Sequence, residues 1–369
     1  MKNMRIAIIG TRGVPAQYGG FETCAEELGQ RLVRNRHSVD VFCRSSYFQE
    51  KPDRYAGMRL VYLPSLNLKS LDTLSHSFLS LLDALGKPYD IILVFNPGNG
   101  LFLWLPKLFG KKTVLNVDGL EWEREKWNKA GRLYHKLAAR AATKLADVLV
   151  ADSLAMQRYY SERFKKETEF IPYGAELESS RDSALLRRYG LGPGDYFLQI
   201  TRFEPENNPW LSVRALELTK TDKKLVLVGG VKYPSSYSGR IFAARDKGIC
   251  LTGFIYNRDV LRELRVHCLA YIHGNEAGGT NPALLQAMAS GCFVIARDVV
   301  FNREVLEDAG IYFARNPEDL AAKMRWVIEN AESLNPFKEK ARTIIASRYD
   351  WDDVARSYER IFSKLRRHF

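Results

Sequence analysis

The sequence lacks the features of a membrane-spanning or disulfide-stabilised protein. None of its 369 residues belong to an uncharged apolar run of the roughly 18–20 residues that a spanning helix needs. The apolar run at residues 6–10 is also far too short for a signal peptide. Its five cysteines are scattered and form no C-x-x-C pair, which argues against a zinc site or a disulfide scaffold. We therefore expect a cytoplasmic protein with reduced thiols.

Several ligand-binding motifs are missing as well. There is no G-x-G-x-x-G fingerprint for a dinucleotide. The one Asp-x-Asp, formed by Asp350 and Asp352, begins a predicted helix and is typical of a cap with acidic first-turn residues, so no metal is expected. Helix-turn-helix, RNA-binding and zinc-finger patterns are absent, which makes nucleic acid a poor partner for a net charge of +12. Nucleotide phosphates and an anionic membrane remain as polyanionic partners.

Short apolar strands alternate with helical patterns through the first half of the chain. Alternation of this kind is typical of a parallel sheet with helices on both faces, and so of an α/β fold. Strands are predicted at residues 5–10, 39–43, 58–63, 91–95, 113–117 and 148–150. Helices are predicted at residues 21–35, 71–85, 133–145 and 153–164.

The same alternation restarts in the second half. Strands are predicted at residues 196–200, 225–228, 249–251, 270–272 and 293–296, with a helix at 210–218. The Pro and Gly at 171–175 are typical of a hinge. We predict two Rossmann-like domains, 1–172 and 173–350, whose strand ends face a central cleft, and a helix in 351–369 that packs back on the N-terminal domain.

The most informative segment is residues 278–291. A polar, glycine-rich turn leads directly into a short apolar helix, and an apolar strand follows. The first amides of a helix have no partner and carry partial positive charge, so such a turn is a ready anion site that suits a pyrophosphate.

Six segments together resemble one known family. They are residues 8–15, 18–23, 116–122, 202–208, 273–286 and 301–306, in this order along nearly the whole chain. In them the chain is similar to family 4 retaining glycosyltransferases of the GT-B fold, in the branch of bacterial rhamnosyltransferases with a DUF1972-type N-terminal domain. NAD enzymes and two-domain binding proteins share the gross plan.

The resemblance implies a reaction and its partners. The N-terminal domain would bind the acceptor and the C-terminal domain a dTDP- or UDP-linked sugar, with dTDP-rhamnose favoured. Transfer would retain the anomeric configuration, need no cofactor or metal, and deliver the sugar to a saccharide or polyprenyl-diphosphate-linked saccharide in cell-surface polysaccharide biosynthesis.

The donor site is predicted around several loops that follow strands. Gly19 and Gly20 allow backbone amides to approach a phosphate, and Arg202 can hold a pyrophosphate and stabilise its departure. The alternative is a ligand-free loop and a surface arginine. The resemblance adds these donor-binding residues: Asn207 (where many relatives have lysine), Tyr256 beside the base, His273, Gly278, Gly279, Thr280, Asn281 and Gln286.

Two of these positions depart from the family pattern. The family has two glutamates separated by seven residues, and here those places hold Gly278 and Gln286. A glutamine keeps an acceptor oxygen but loses the charge. Either backbone amides and Asn281 hold the sugar, or Glu276 substitutes for the missing carboxylate. Two alternatives therefore stay open: a non-catalytic sugar-nucleotide-binding partner of another transferase, and a GT-B-like nucleotide-sugar epimerase.

The acceptor side is predicted to include a carboxylate. Asp118 follows a strand and could orient the acceptor hydroxyl or act as a base, with Glu121 as a second candidate. The alternative is that Asp118 and Gly119 only make a turn. The resemblance places Arg12, Tyr18, Glu121 and Trp122 around the acceptor, with Asp118, Arg202 and Gly20 as catalytic residues.

A membrane contact is predicted for residues 122–144. This segment is helical, basic and aromatic, with Trp122, Trp127 and Tyr134, and such a face can lie on anionic lipid. Residues 365–369 could add to it. The alternative is a solvated helix face. We therefore expect a cytoplasmic protein that is peripheral on the cytoplasmic face of the bacterial inner membrane.

Overall fold

Parallel strands and the helices between them make up two units in the computed structural model. The structure describes residues 3–16, 19–66, 68, 71–124, 127–231, 234–245 and 248–367. The first unit extends to Gly174 and resumes at Trp351, and the second comprises Ala175–Asp350.

The first unit has an eight-stranded sheet. Its strands are β1 (Arg5–Ile9), β2 (Ser38–Arg44), β3 (Arg54–Tyr55), β4 (Met58–Leu63), β5 (Ile91–Phe95), β6 (Thr113–Asn116), β7 (Val148–Ala151) and β8 (Glu169–Phe170). They lie in the order β3-β4-β2-β1-β5-β6-β7-β8, and all pairs are parallel except β3 with β4. Every residue of β5 is buried, as expected for a strand covered by helices on both faces.

Five helices connect these strands. They are α1 (Gly20–Arg34), α2 (Asp72–Leu85), α3 (Trp104–Leu108), α4 (Lys129–Leu145) and α5 (Leu154–Phe164), and a 3₁₀ turn at Pro97–Leu103 precedes α3. Helix α4 begins four residues before the predicted start at 133. The reason is Asn128, whose side chain accepts from the Gly131 amide at 2.9 Å and caps the helix.

The second unit repeats the plan with six parallel strands. They are β9 (Tyr196–Ile200), β10 (Lys224–Val228), β11 (Ile249–Gly253), β12 (Ala270–His273), β13 (Val294–Arg297) and β14 (Gly310–Phe313), in the order β11-β10-β9-β12-β13-β14. Its helices are α6 (Pro209–Thr219), α7 (Ser236–Ala243), α8 (Arg258–Val266), α9 (Pro282–Ala289), α10 (Val300–Leu306), α11 (Pro317–Glu329) and α12 (Asn335–Arg348). The predicted α/β fold with two Rossmann-like parallel sheets is therefore confirmed.

Each sheet has a place where the strand order reverses. In the first unit the chain leaves β1 toward β2 but later continues from β5 toward β6, and in the second it leaves β9 toward β10 but continues from β12 toward β13. Loops that leave the carboxyl ends of two such neighbours diverge to opposite sides and open a crevice, where ligands of α/β sheets bind. Residues 10–16, 202–208 and 274–281, which follow β1, β9 and β12, all lie at these two places.

The C-terminal helix α13 (Trp351–Arg367) belongs to the first unit and packs on α1. The Glu359 carboxylate contacts the His37 ring at 3.0 Å, and the hydroxyl of Tyr358 accepts from Asn116 at 3.0 Å. Phe362 is fully buried beside Tyr358. The last helix therefore completes the core of the unit in which the chain begins.

Replacing Phe362 by alanine tests this packing. We expect Phe362→Ala to lower the free energy of unfolding of the first unit by about 3–5 kcal/mol, because it leaves a cavity where a fully buried ring was. The matched control is Arg360→Ala, an exposed position on the same helix, which should cost under about 0.5 kcal/mol. Urea denaturation measures both, and equal losses would contradict the packing of α13.

Candidate active site

The loop between β12 and α9 lies at the carboxyl end of the second sheet and is tied to the loop that follows β9. The Gly274 carbonyl accepts from the Asn208 side chain at 2.9 Å. The Glu276 amide donates to the Glu206 carbonyl at 3.0 Å. Two hydrogen bonds therefore hold the loop that follows β9 against the loop that follows β12, at the place where the strand order reverses.

The turn that precedes α9 has the form that the sequence predicts. Gly278 has φ +138°, a conformation that L side chains rarely adopt, which gives a backbone reason for glycine in place of the family's glutamate. Gly279 and Thr280 are buried, and the Asn281 side chain accepts from the Ala283 amide at 2.9 Å. Asn281 therefore caps helix α9, and its side-chain oxygen is bonded to the backbone of that helix.

Glu276 is engaged by two arginines. Its carboxylate lies 2.8 Å from Arg297 Nε and 3.4 Å from Arg315 Nε. The Asn302 side chain donates to the carbonyls of Asn275 and Arg297, at 3.0 and 2.8 Å, and so holds the same loop to α10. The charge of Glu276 is therefore compensated within the fold, and its possible contact with the donor sugar stays a prediction.

Asn207 supports the turn that carries Arg202. It is buried, its side-chain amide donates to the Arg202 carbonyl at 3.0 Å, and its own carbonyl accepts from Gln199 at 2.9 Å. These bonds give Asn207 a structural role in the turn, and its direct contact with the donor stays a prediction. Arg202 itself is half-buried at the carboxyl end of β9.

Three buried side chains at this strand end carry polar atoms that have no hydrogen-bond partner among the described residues. They are Gln199 Oε1, both carboxylate oxygens of Glu206, and His273 Nε2. Burial lowers the pKa of His273 to about 3, so this imidazole is neutral at physiological pH. Such atoms are costly to bury unless something bonds them. Sequence reasoning missed Gln199 and Glu206, although Glu206 lies within the 202–208 motif.

An aromatic pair lies beyond β11. The rings of Phe254 and Tyr256 are nearly parallel, with centroids 6.2 Å apart, and Tyr256 is 59% exposed. Phe254 also approaches Gly230, in the loop after β10, where an added Cβ would lie 3.2 Å from its ring. The predicted residue Tyr256 is therefore half of an exposed stacking surface at the carboxyl edge of the sheet.

Gln286 lies on α9 with its amide oriented by a backbone contact. Its Nε2 donates to the Glu176 carbonyl at 3.2 Å. A glutamate could not make this bond, because a carboxylate has no hydrogen to donate. The side chain is half-buried and retains its oxygen as an acceptor.

In the first unit, two carboxylates of α1 bind the loop that follows β1. Glu22 accepts from the Arg12 amide at 2.8 Å, and Glu26 accepts from the Ala16 amide. Both glutamates are buried. Two backbone amides of this loop are therefore already hydrogen-bonded to carboxylates of α1. The sequence analysis did not predict these bonds.

Gly19 and Gly20 form the start of α1. Gly19 is its N-cap and has no side chain that could cap it. An added Cβ at Gly19 would lie 2.9 Å from the Glu22 carboxylate. That carboxylate lies in the first helical turn, where its charge offsets the positive end of the helix dipole.

Asp118 and Asp152 are two carboxylates at neighbouring strand ends of the first unit. Asp118 follows β6 with φ +41°, and its amide donates to Asn116 Oδ1 at 3.1 Å. Burial raises the pKa of the Cys24 thiol well above its usual value, and the charges of Asp152 and Asp118 raise it further. The pKa of Tyr173 is raised by burial and by the same two carboxylates. Asp118 and the buried Asp152 therefore share one region at the ends of β6 and β7.

Glu121 and Trp122 are parts of the fold. Glu121 is buried, lies 2.7 Å from Arg124 Nε and accepts from the Trp127 indole at 3.3 Å. Trp122 is 5% exposed and packs against Tyr159, with ring centroids 5.8 Å apart. Both side chains therefore have structural contacts within the unit, and their contacts with the acceptor stay predictions.

Of the other predicted acceptor residues, Arg12 is half-buried with its guanidinium 5.3 Å from the centre of the Tyr47 ring. Tyr18 lies outside the described residues. Within the described ranges no cluster of three or more His, Cys, Asp or Glu could hold a metal, and no helix is long and apolar enough to cross a membrane. Asp352 of the Asp-x-Asp bonds Arg31 at 2.8 Å.

Two family matches cover different parts of the chain. Residues 189–344 match the family described as glycosyl transferases group 1, and residues 91–176 match the domain of unknown function DUF1972. An uncharacterized glycosyltransferase of Methanocaldococcus jannaschii is 24% identical over 282 residues, which cover 72% of this chain and 71% of that protein.

Solved structures share the fold over the full length. A sucrose-phosphate synthase of Thermosynechococcus elongatus matches with a TM-score of 0.81 at 16% identity and covers 100% of both chains. HepE of Anabaena in complex with UDP-glucose matches with a TM-score of 0.80 at 17% identity, covering 98% of this chain and 100% of that one. At such identities the likeness shows the fold, which is GT-B as predicted. Together, the family matches, the curated relative and this fold support a glycosyltransferase of the GT-B type.

Proposed function

We propose that the protein is a retaining glycosyltransferase. It moves a sugar from a nucleoside-diphosphate donor, with dTDP-rhamnose favoured over UDP-linked sugars, to a saccharide or polyprenyl-diphosphate-linked saccharide in cell-surface polysaccharide biosynthesis. The rhamnosyl assignment rests on the resemblance of the sequence motifs. The proposal of a nucleotide sugar is supported by HepE, which has the same fold and was solved with UDP-glucose.

One observation carries the donor-site proposal. At the strand-order reversal of the second unit, Gln199, Glu206 and His273 present buried polar atoms without a partner among the described residues, beside the turn that carries Arg202. Unsatisfied buried groups cost about 1–3 kcal/mol each. Hydroxyl groups of a donor sugar would satisfy these acceptors, and Arg202 would face its diphosphate.

Different residues would bind the nucleobase, the pentose and the diphosphate of the donor. The aromatic pair of Phe254 and Tyr256 would stack on the nucleobase. The oxygen of Gln286 would accept from a ribose hydroxyl while its amide stays bonded to Glu176. The amides of the 278–281 turn would approach the diphosphate, because helix starts favour anions.

The proposed reaction needs little from a protein base. The bond between the anomeric carbon and the phosphate oxygen breaks, and the acceptor oxygen bonds the same carbon on the same face. The acceptor proton passes to the leaving phosphate oxygen. Arg202 stabilises the negative charge that develops there, and Asp118 in the first unit orients the acceptor hydroxyl.

Arg202→Ala tests the diphosphate contact. We expect the Kd for dTDP and UDP to rise about 10- to 150-fold, since hydrogen bonds to charged groups contribute about 1.5–3 kcal/mol. The matched control is Arg214→Ala on α6, whose exposed pair with Glu217 contributes little to binding or stability. Calorimetric titration measures both, and an unchanged Kd in Arg202→Ala would refute the contact.

Gln286→Glu tests whether the departure from the family pattern is an adaptation. We expect turnover to fall several-fold, because the carboxylate loses the bond to the Glu176 carbonyl and is repelled by it. Gln157→Glu is a matched control in the first unit, since Gln157 Nε2 donates to the Thr168 carbonyl at 2.7 Å. A rise in turnover of tenfold or more in Gln286→Glu would instead favour a degenerate, non-catalytic site.

Asp118→Asn separates a catalytic carboxylate from a turn-forming residue. Asparagine adopts the positive φ of this position readily, so the turn should persist. We expect sugar transfer to fall about 100-fold, because the acceptor hydroxyl loses the carboxylate that orients it, while the Kd for the nucleotide stays unchanged. Asp222→Asn, at an exposed position of the second unit, serves as the control. Transfer at the wild-type rate in Asp118→Asn would mean that Asp118 only makes the turn.

A further inference from the structure

The predicted membrane segment does not present the aromatic residues that suggested it. Trp122 is buried. The Trp127 ring packs on His135, with centroids 4.7 Å apart, and the Tyr134 hydroxyl donates to the Gly98 carbonyl at 2.9 Å. The aromatic part of the predicted face therefore packs inside the first unit.

Other apolar side chains are exposed on α4 and its neighbours. Leu133 and Leu137, four residues apart on α4, are 58% and 51% exposed. In and after α3, Leu108 is 74% exposed, and Trp104 and Phe109 are exposed as well. On α2 the exposed residues are Leu79 and Leu82.

These helices form one continuous layer. The Phe78 ring of α2 packs on Phe102 of the Pro97–Leu103 turn, with centroids 5.5 Å apart, and that turn lies along α4. Lys107 of α3 donates to the carbonyl of Lys144 at 2.9 Å. The connections through α2, α3 and α4 all lead toward β8 along the sheet, whereas the connection through α1 leads toward β3. Because such connections are right-handed, the layer of α2, α3 and α4 lies on the opposite face of the sheet from α1.

The charges on α3 and α4 are all positive, whereas α2 carries Asp83 beside Leu82, paired with Lys87. The sequence has no Asp or Glu from 96 to 112 or from 126 to 146. Helix α4 carries exposed basic residues at intervals of three or four, which places them along one side of the helix. They are Lys129, Arg132, Lys136, Arg140 and Lys144.

We infer that the outward face of α2, α3 and α4 docks on an anionic lipid bilayer. We call this face the docking face and define it by Leu79, Leu82, Trp104, Leu108, Phe109, Leu133, Leu137 and the five basic residues of α4. Leucine and tryptophan side chains would enter the headgroup region, and the basic row would pair with lipid phosphates. Exposed apolar side chains gathered in this way mark an interaction site, and the positive charge of α3 and α4 favours an anionic lipid surface.

The inference rests on the proposed function in one respect. A transferase whose acceptor hydroxyl belongs to a lipid-linked saccharide must work at a bilayer, and the docking face belongs to the unit assigned to the acceptor. Docking itself needs no donor, so it can be measured without any reaction.

Co-sedimentation with vesicles tests the docking face. We expect the full chain to sediment with vesicles of phosphatidylglycerol and phosphatidylcholine, and at least tenfold less with phosphatidylcholine alone. The double variant Lys136→Glu with Arg140→Glu should lose at least tenfold in partition. The matched control is Arg360→Glu with Lys364→Glu, which makes the same charge change at the same spacing on exposed positions of α13.

A second pair of variants tests the apolar contact. Leu133→Ser with Leu137→Ser should lower partition without changing the net charge, and quenching of tryptophan fluorescence by brominated lipid should fall in Trp104→Phe. Equal loss in the α13 control, or no partition of the wild-type chain, would overturn the inference. Nucleotide binding measured without vesicles reports on the proposed function separately, so failure of one leaves the other standing.

Discussion

The pairing of β9 with β12 is the constraint on which the candidate active site depends. These parallel strands are neighbours in the sheet, but the chain leaves them in opposite directions. Their loops therefore diverge and leave a crevice between them, lined by the segment after Ile200 on one side and the segment after His273 on the other. Every donor residue proposed in the second unit lies at this edge or at the adjoining ends of β11 and α9.

Within that edge, the polar groups divide into two sets. Asn207, Asn281 and Glu276 are bonded to the fold and make the loops rigid. Gln199, Glu206 and His273 have buried atoms without partners in the described part of the chain. A rigid frame around unsatisfied groups is the arrangement expected of a preorganised binding site, because ordering and desolvation are settled before a ligand arrives.

Much of the fold could be predicted from the sequence. The strands Ile91–Phe95 and Tyr196–Ile200 have the predicted ends, since short, mainly apolar runs bounded by polar residues are typical of a buried parallel strand. The strand Gly310–Phe313 was missed, because it is only four residues long and its two central residues are only partly buried. The β3 and β8 strands are two residues long and carry no readable period.

The site was harder to predict, because sequence position does not give side-chain orientation. Arg202 and the 278–281 turn follow strands, as the sequence predicts, whereas their contacts with the donor stay a proposal. Glu121 and Trp122 also follow a strand, but their side chains bond Arg124 and pack on Tyr159. The basic and aromatic composition of residues 122–144 predicts a membrane contact, but composition does not show which side chains are exposed. Only the tertiary packing shows that Leu133 and Leu137 are exposed and that Trp122 is buried.

The central claim is that the second unit holds the diphosphate of a nucleotide sugar without a metal. A thermal-shift series with dTDP, UDP, GDP, ADP and NAD, each with and without EDTA, tests it most directly, because a ligand that binds only the folded state raises the melting temperature. The account predicts a shift with dTDP or UDP that is the same in EDTA. A shift with NAD alone, or with none of the nucleotides, would contradict it.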